Sequence, residues 1–294
     1  MCGVHDTYEV KSADSPFILR IYRNSHRNRS QVNAEVALLV ALKHANVAVS
    51  YPVADKSGAL VQQLDAIEGT RCAVLFSYAP GKSIRTLSGN QLQSLGYEMA
   101  RFHNVSSFIH LSDKRWMFDL PTIIFQPLQR LQPYFTEDQE GYEWLQEAAK
   151  KVEQQVLKTN IDKLTKGYCH FDFLPKNMHF DGDAVTFFDF DFMGYGWLVL
   201  DIVSFWQHLA LEVYARRMSR EEGDQAYLTF LNAYRQIRPL NKEELSLVPY
   251  LSIGFWLFYM GFHITHDQFR IYSQPVQLKL YTGILKYIAG NYWH

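Results

Sequence analysis

One change of pattern limits the folds open to this chain. The first eighty residues alternate as short strands around a single helix, and the remainder is helical almost to the end. Thr7 to Lys11 and Phe17 to Arg23 are β-prone runs separated by Ser12-Ala13-Asp14-Ser15-Pro16, which is turn chemistry. Gln31 to His44 places Val32, Val36, Leu39 and Val40 on one helical stripe. Ala59 to Leu64 and Cys72 to Tyr78 predict a hairpin around Glu68-Gly69, and Ala79-Pro80-Gly81-Lys82 then breaks the pattern as a linker. Beyond it, capping boxes mark four helix starts: Ser88 with Gln91, Thr136 with Gln139, Ser219 with Glu222, and Asn241 with Glu244. One β island, Thr165 to Phe192, interrupts the helices, with two β runs flanking Asp181-Gly182-Asp183. The expected architecture is α+β and bilobal, with a small β-rich lobe over 1–79 and a larger helical lobe over 80–294 bearing one surface hairpin.

A chain of 294 residues buries roughly 75% of its unfolded surface, so neither a disulfide nor a metal staple is required for folding. Hydrophobic residues at 48% and charged ones at 20% exclude disorder and collagen-like repeats. Lys+Arg 29 against Asp+Glu 30 argues against a nucleic-acid binder driven by charge. Cys2, Cys72 and Cys169 form no CxxC, and the start shows no basic segment followed by an apolar run, so a cytoplasmic location is expected. Leu247 to Ile264 is apolar and about long enough to cross a bilayer, but it carries Pro249, Ser252 and His263. It reads as a buried helix of the large lobe, a membrane span being the alternative, and no membrane partner is expected.

The chemistry concentrates in the β island. His170-Phe171-Asp172-Phe173-Leu174-Pro175-Lys176-Asn177 is followed, across the predicted hairpin, by Asp189-Phe190-Asp191. Phosphoryl transfer from a nucleotide needs a carboxylate to orient the attacking hydroxyl and hard oxygen donors to hold magnesium on the phosphates. The spacing matches the H-x-D-x-x-x-x-N then D-F-x pattern of kinases. A metallohydrolase using His170, Asp172, His179 and Asp189 is the rival reading, but it leaves Asn177 without a task. His170 reads as structural support that packs and hydrogen-bonds backbone. Asp201 reads either as a third acid or as a buried carboxylate satisfied by the backbone of the catalytic loop, the second being favoured.

With those residues in hand, the chain resembles the aminoglycoside phosphotransferase and choline kinase-like family, small-molecule relatives of protein kinases with the protein kinase-like fold. Gly3 to Val10 and Phe17 to Arg23 resemble that family's opening strands, Ala34 to Leu39 its first helix, and Cys169 to Asn177 with Phe187 to Asp201 its catalytic and metal-binding segments. The resemblance implies ATP and Mg2+ as cofactors and a small-molecule hydroxyl as acceptor. It implies that Asp172 orients or deprotonates that hydroxyl, and that Asn177 and Asp189 hold magnesium with Asp191 as a helper. It also implies that Arg20 meets the phosphates, that Glu35 is its ion-pair partner, and that Ile18 meets adenine while backbone groups around Phe76, Ser77, Tyr78 and Ala79 hydrogen-bond it. Ile18 and Arg20 share one face of a strand, which suits a base beside a triphosphate.

Two departures from the family pattern stand out. Arginine occupies position 20 where lysine is usual, and its fork is no neutral replacement for an ammonium. The chain also starts inside the expected phosphate-covering turn, with Gly3 alone representing the glycine-rich element and the first edge strand missing. Loose ATP binding is therefore expected, tightening in a version extended upstream. The acceptor site is expected from the helices within 105–165 and 205–270. The acidic run Glu137-Asp138-Gln139-Glu140 reads as a helix N-terminus, an amine-attracting patch being the alternative. The leading expectation is an ATP- and Mg2+-dependent phosphotransferase acting on a small hydroxylated metabolite, such as an amino alcohol, a homoserine-like amino acid, a sugar or an aminoglycoside. The alternatives are a nucleotide-binding pseudokinase or scaffold, and a protein Ser/Thr kinase, the latter weakened by the lack of an A-P-E segment.

Overall fold

The computed structural model describes residues 4–13, 15–67, 69–113 and 115–294. Gly3, the expected glycine-rich element, lies outside them, as do Met1, Cys2, Asp14 and Glu68. In chain order the elements are β1 (Asp6–Val10), β2 (Phe17–Ile21), α1 (Arg29–His44), β3 (Gln62–Ala66), β4 (Gly69–Ser77) and α2 (Gly89–Ser106). Next come β5 (Trp116–Phe118), α3 (Gln126–Leu131), α4 (Gln139–Lys158), β6 (Lys166–Cys169), β7 (Met178–Asp181), β8 (Ala184–Phe187) and β9 (Gly194–Trp197). Four helices close the chain: α5 (Val199–Tyr214), α6 (Arg220–Ile237), α7 (Lys242–His263) and α8 (Pro275–Tyr292). The fold is mixed α+β, with a small lobe built on a sheet and a mostly helical remainder.

The chain forms two compact units, 1–115 with 175–193 and 232–238, and 116–174 with 194–231 and 239–294. The first unit is built on an antiparallel sheet of order β1-β2-β4-β3, with Ile18 opposite Phe76 and Arg20 opposite Val74. Asn28 and Gln31 form a capping box that starts α1, which buries Val32, Val36, Leu38, Leu39 and Leu42 on one face. The predicted strand at Ala59 to Leu64 starts later, at Gln62, because Asp55 organises the preceding turn. Its Oδ1 accepts from the backbone N–H groups of Ser57 and Ala59 at 2.8 and 2.9 Å, which keeps Ala59 out of the sheet. The β7–β8 hairpin turns through Gly182 at φ 61°, a left-handed conformation that glycine adopts without strain.

The second unit packs helices around α7, which buries Leu247, Leu251, Ile253, Phe255, Leu257 and Met260, each side chain contributing about 1.5–3 kcal/mol of apolar burial. α7 is long and apolar enough to cross a membrane, and 72% of its most apolar window is buried inside the protein. Pro249 inside this helix removes one backbone donor. The Pro249 carbonyl accepts from Trp293 Nε1 at 2.9 Å and Ser252 Oγ at 2.7 Å. Capping boxes start α2, α6 and α7 at the expected residues. For α4 the cap is Asp138, whose carboxylate accepts from the Gly141 N–H at 3.1 Å, and not Thr136. A carboxylate directly at the helix N-terminus both satisfies that donor and faces the positive end of the dipole. The same unit contains a three-stranded sheet, β5-β9-β6, that the sequence pattern did not predict as a sheet.

Candidate functional site

A cavity of about 230 Å³ lies in the first unit, against β2, the end of β4 and the turn after β8. Ile18, Phe76, Tyr78 and Ala79 supply apolar wall, and Arg20, Glu35 and Asp189 supply charge. The pleat puts Ile18 and Arg20 on one face of β2, and α1 brings Glu35 to the same place. Arg20 spans two carboxylates, with Nη1 3.3 Å from Glu35 Oε1 and Nη2 3.0 Å from Asp189 Oδ1. Its guanidinium also lies 5.6 Å from the Phe76 ring centroid. Burial works against the charge on Arg20, but Asp189, Tyr22 and Glu35 outweigh it and hold the guanidinium firmly protonated. Burial drives the Glu35 carboxyl upward, with the Arg20 cation acting against that shift.

Two buried polar atoms at this cavity, Arg20 Nε and Glu35 Oε2, have no hydrogen-bond partner among the described residues. Such groups cost on the order of 1–3 kcal/mol each when left unsatisfied, so a cavity wall that carries them is suited to a polar ligand. The Asp189 side chain is 41% exposed and has one oxygen on Arg20, which leaves oxygen lone pairs open at the cavity.

Along the chain segment at the cavity edge, Ser77 is already engaged on both backbone groups. Its N–H donates to Tyr51 O at 2.8 Å, and its carbonyl accepts from Ser50 Oγ at 2.6 Å. The Ala79 carbonyl accepts from His179 Nδ1 at 2.8 Å. These bonds occupy the Ser77 N–H and one lone pair each of the Ser77 and Ala79 carbonyls. Ser50 and His179 line the cavity and were not expected there.

Asn177 is buried, and its carbonyl accepts from the Phe188 N–H at 3.0 Å, so the β7–β8 hairpin returns the chain to within one residue of Asp189. Asp191, expected to help with a metal ion, does not line the cavity. Its carboxylate is taken up by His5, His26 and Arg27, which leaves no lone pair for magnesium. His26 and Arg27 are neighbours and His5 lies 21 positions earlier, all far in sequence from Asp191, and no spacing signal marks them.

Asp172 belongs to the second unit, where it is buried. Asp201, inside the first turn of α5, accepts from the backbone N–H groups of His170 at 3.0 Å and Phe171 at 2.6 Å. His170 Nδ1 in turn accepts from the Asp172 N–H at 3.2 Å. Phe171 adopts φ 68°, a strained choice for a residue with a side chain. Its ring stacks on Phe118 at 4.2 Å and Phe255 at 5.5 Å, which together with the Asp201 bond over-determines that conformation. The second unit also carries a more polar cavity of about 430 Å³, bounded by Tyr134, Thr136, His263, His266, Asp267 and Arg270.

The pattern of the phosphotransferase enzyme family matches residues 3–242. A Deinococcus radiodurans protein is 30% identical over 260 residues, which is 88% of this chain and 74% of its own. Amicoumacin kinase of Bacillus subtilis is 25% identical, over 88% of this chain and 77% of its own length. Among solved structures, amicoumacin kinase hAmiN in complex with AMP-PNP, Ca2+ and Ami superposes with a TM-score of 0.79 at 20% identity, covering 98% of this chain and 87% of that one. A microcompartment-associated aminopropanol kinase also superposes with a TM-score of 0.79, at 19% identity, over 99% of this chain and 90% of its own.

Proposed function

The chain belongs to the phosphotransferase enzyme family, a premise from which we propose that it is an ATP- and Mg2+-dependent kinase of a small hydroxylated metabolite. It is a kinase with an alcohol group as acceptor, in keeping with relatives that include amicoumacin kinase, homoserine kinase and aminopropanol kinase. The observation that carries the nucleotide assignment is the cavity where an apolar wall of Ile18 and Phe76 passes into Arg20 and Asp189. A purine needs the first half of that wall and a triphosphate the second.

In this reading Arg20 pairs with phosphate oxygens through its free Nε–H, and Glu35 keeps the guanidinium in place. Backbone groups around Phe76 to Ala79 hold the base. Asn177 and Asp189 offer the hard amide and carboxylate oxygens that suit magnesium, which supplies charge neutralisation on the transferring phosphoryl group when bound. Asp172 accepts the proton of the acceptor hydroxyl as that oxygen bonds to the γ-phosphorus, while the bond from γ-phosphorus to the bridging oxygen breaks and ADP leaves. Asp201 and His170 fix the backbone from which Asp172 projects. An amine-bearing alcohol is the acceptor class most in keeping with the relatives.

The test is a screen of amino alcohols, homoserine-like amino acids, sugars and aminoglycosides for ATP-dependent phosphate incorporation. Asp172→Asn and Asp189→Asn are expected to lower turnover by roughly 10²-fold or more while remaining folded. Retained turnover in both variants rejects the assignment.

A further inference from the structure

The turn that presents Asp189 is held by a cluster whose residues do not line the cavity. Asp191 is 3% exposed. Its Oδ1 accepts from His5 Nε2 at 3.0 Å and Arg27 Nε at 2.9 Å, and its Oδ2 accepts from His26 Nε2 at 2.7 Å and Arg27 Nη2 at 3.3 Å. The backbone is gripped as well. Arg27 Nη2 donates to the Asp191 carbonyl at 2.8 Å, Arg115 donates to the same carbonyl, and Arg115 Nε reaches Met193 O at 3.3 Å. His5 Nδ1 accepts from the Arg23 N–H at 3.4 Å, which places the ring proton on Nε2, where Asp191 receives it.

Histidines 5 and 26 with Asp191 bring three potential metal-ligand atoms within 4.8 Å of one another. A metal ion is a poor fit there. The Arg27 cation occupies the same carboxylate, and all four lone-pair sites of that carboxylate already receive N–H donors. The cluster is instead a set of donors closed on one acceptor, and every one of them is buried.

What it holds is strained. Asp189 sits at φ 64°, ψ 61°, a left-handed conformation that costs a residue with a side chain about 1–2 kcal/mol and persists only where its surroundings enforce it. The next three residues form a tight turn closed by Met193 N–H to Phe190 O at 2.9 Å, and Phe190 is buried edge-on against Phe102 at 5.8 Å. We propose that Asp191 is a positioning residue: its clamp by His5, His26 and Arg27 fixes the turn over 189–193 and so aims the Asp189 carboxylate into the cavity where it would meet the metal ion. The inference rests on the nucleotide reading of that cavity.

The test uses Mn2+ and ADP as probes on the full chain. Free Mn2+ is followed by electron paramagnetic resonance in the presence of saturating ADP, and ADP affinity is measured separately without metal. His26→Leu removes a clamp donor that lies outside the cavity, and it is expected to weaken Mn2+ binding about tenfold while metal-free ADP affinity changes less than about twofold. His26→Gln, which restores a donor of similar reach, is expected to recover most of the loss. Arg27→Lys keeps the charge but gives up the paired bonds, and it carries the same expectation as His26→Leu should that variant fail to fold. Wild-type Mn2+ affinity in the folded variants, or equal losses in His26→Leu and His26→Gln, overturns the clamp while leaving the kinase reading intact. A wild-type protein that binds neither ADP nor Mn2+ overturns both.

Discussion

Arg20 places one guanidinium on two carboxylates, Glu35 and Asp189, through different nitrogens of its fork. A lysine ammonium is a compact point charge and cannot reproduce that span. Arg20→Lys is therefore expected to weaken ADP binding about threefold to tenfold, as read by calorimetry, without lowering thermal stability in proportion. A second residue-scale expectation concerns pH. Burial lowers His26 to about 4 against an ordinary value of 6.5, an effect that its bond to Asp191 only partly offsets. The unfolded chain then binds more protons than the folded one between those two values, so stability rises with pH across this window. The His26 contribution is fully present above pH 6.5 and is lost as pH falls toward 4, on the order of 3 kcal/mol in all. Asp191 acts lower still. Burial opposes its charge, but Arg27 and the histidines hold the carboxyl well below the usual range, so its contribution persists until pH falls through that lowered value. Urea unfolding at several values between pH 4 and 7 should show the slope, and His26→Gln should flatten it.

At the scale of elements, what was legible followed local chemistry. The capping boxes at Ser88, Ser219 and Asn241 need only residues three apart, so they could be read directly. Thr136 misled because Asp138, two residues later, is the better cap for the same helix. The hairpin of β7 and β8 was legible from its turn, whereas β5 and β9 were not, since a three-residue parallel pairing leaves almost no periodicity. The linker at Ala79 to Lys82 has a constraint that only packing reveals. Gly81 sits at φ 83°, and a Cβ there would fall 2.0 Å from the Phe180 carbonyl oxygen. Lys82 and Phe180 exchange backbone bonds at 3.2 and 2.9 Å, so neither side can easily retreat. Gly81→Ala is expected to cost about 2–4 kcal/mol, lowering the denaturant midpoint. An unchanged midpoint would show that the close approach is not maintained in solution. Glu244 is the corresponding device in the second unit, capping α7 while accepting from Thr165 N–H at 3.0 Å and Thr165 Oγ1 at 2.7 Å. Glu244→Ala should destabilise by about 1–3 kcal/mol, more than a surface cap.

For the molecule as a whole, the proposed nucleotide residues and both proposed metal ligands fall in one compact unit, and Asp172 with its Asp201 support falls in the other. Hydrogen exchange should register that division. ADP with Mg2+ is expected to slow exchange over residues 17–21, 76–79 and 186–191 and to leave 275–292 unchanged. Uniform protection along the chain would contradict a nucleotide site confined to the first unit. The sequence by itself determined the class of fold, the strands around one helix at the start, the β7–β8 hairpin, and the Asp172, Asn177 and Asp189 pattern, because those depend on periodicity, turn chemistry and short spacings. Only tertiary structure decided that Asp191 is enclosed by His5, His26 and Arg27, and that Arg20 reaches Asp189 as well as the expected Glu35. A buried charge is assigned its task by whichever donors the folded chain brings to it, and those donors come from positions whose separation in sequence carries no trace of the meeting.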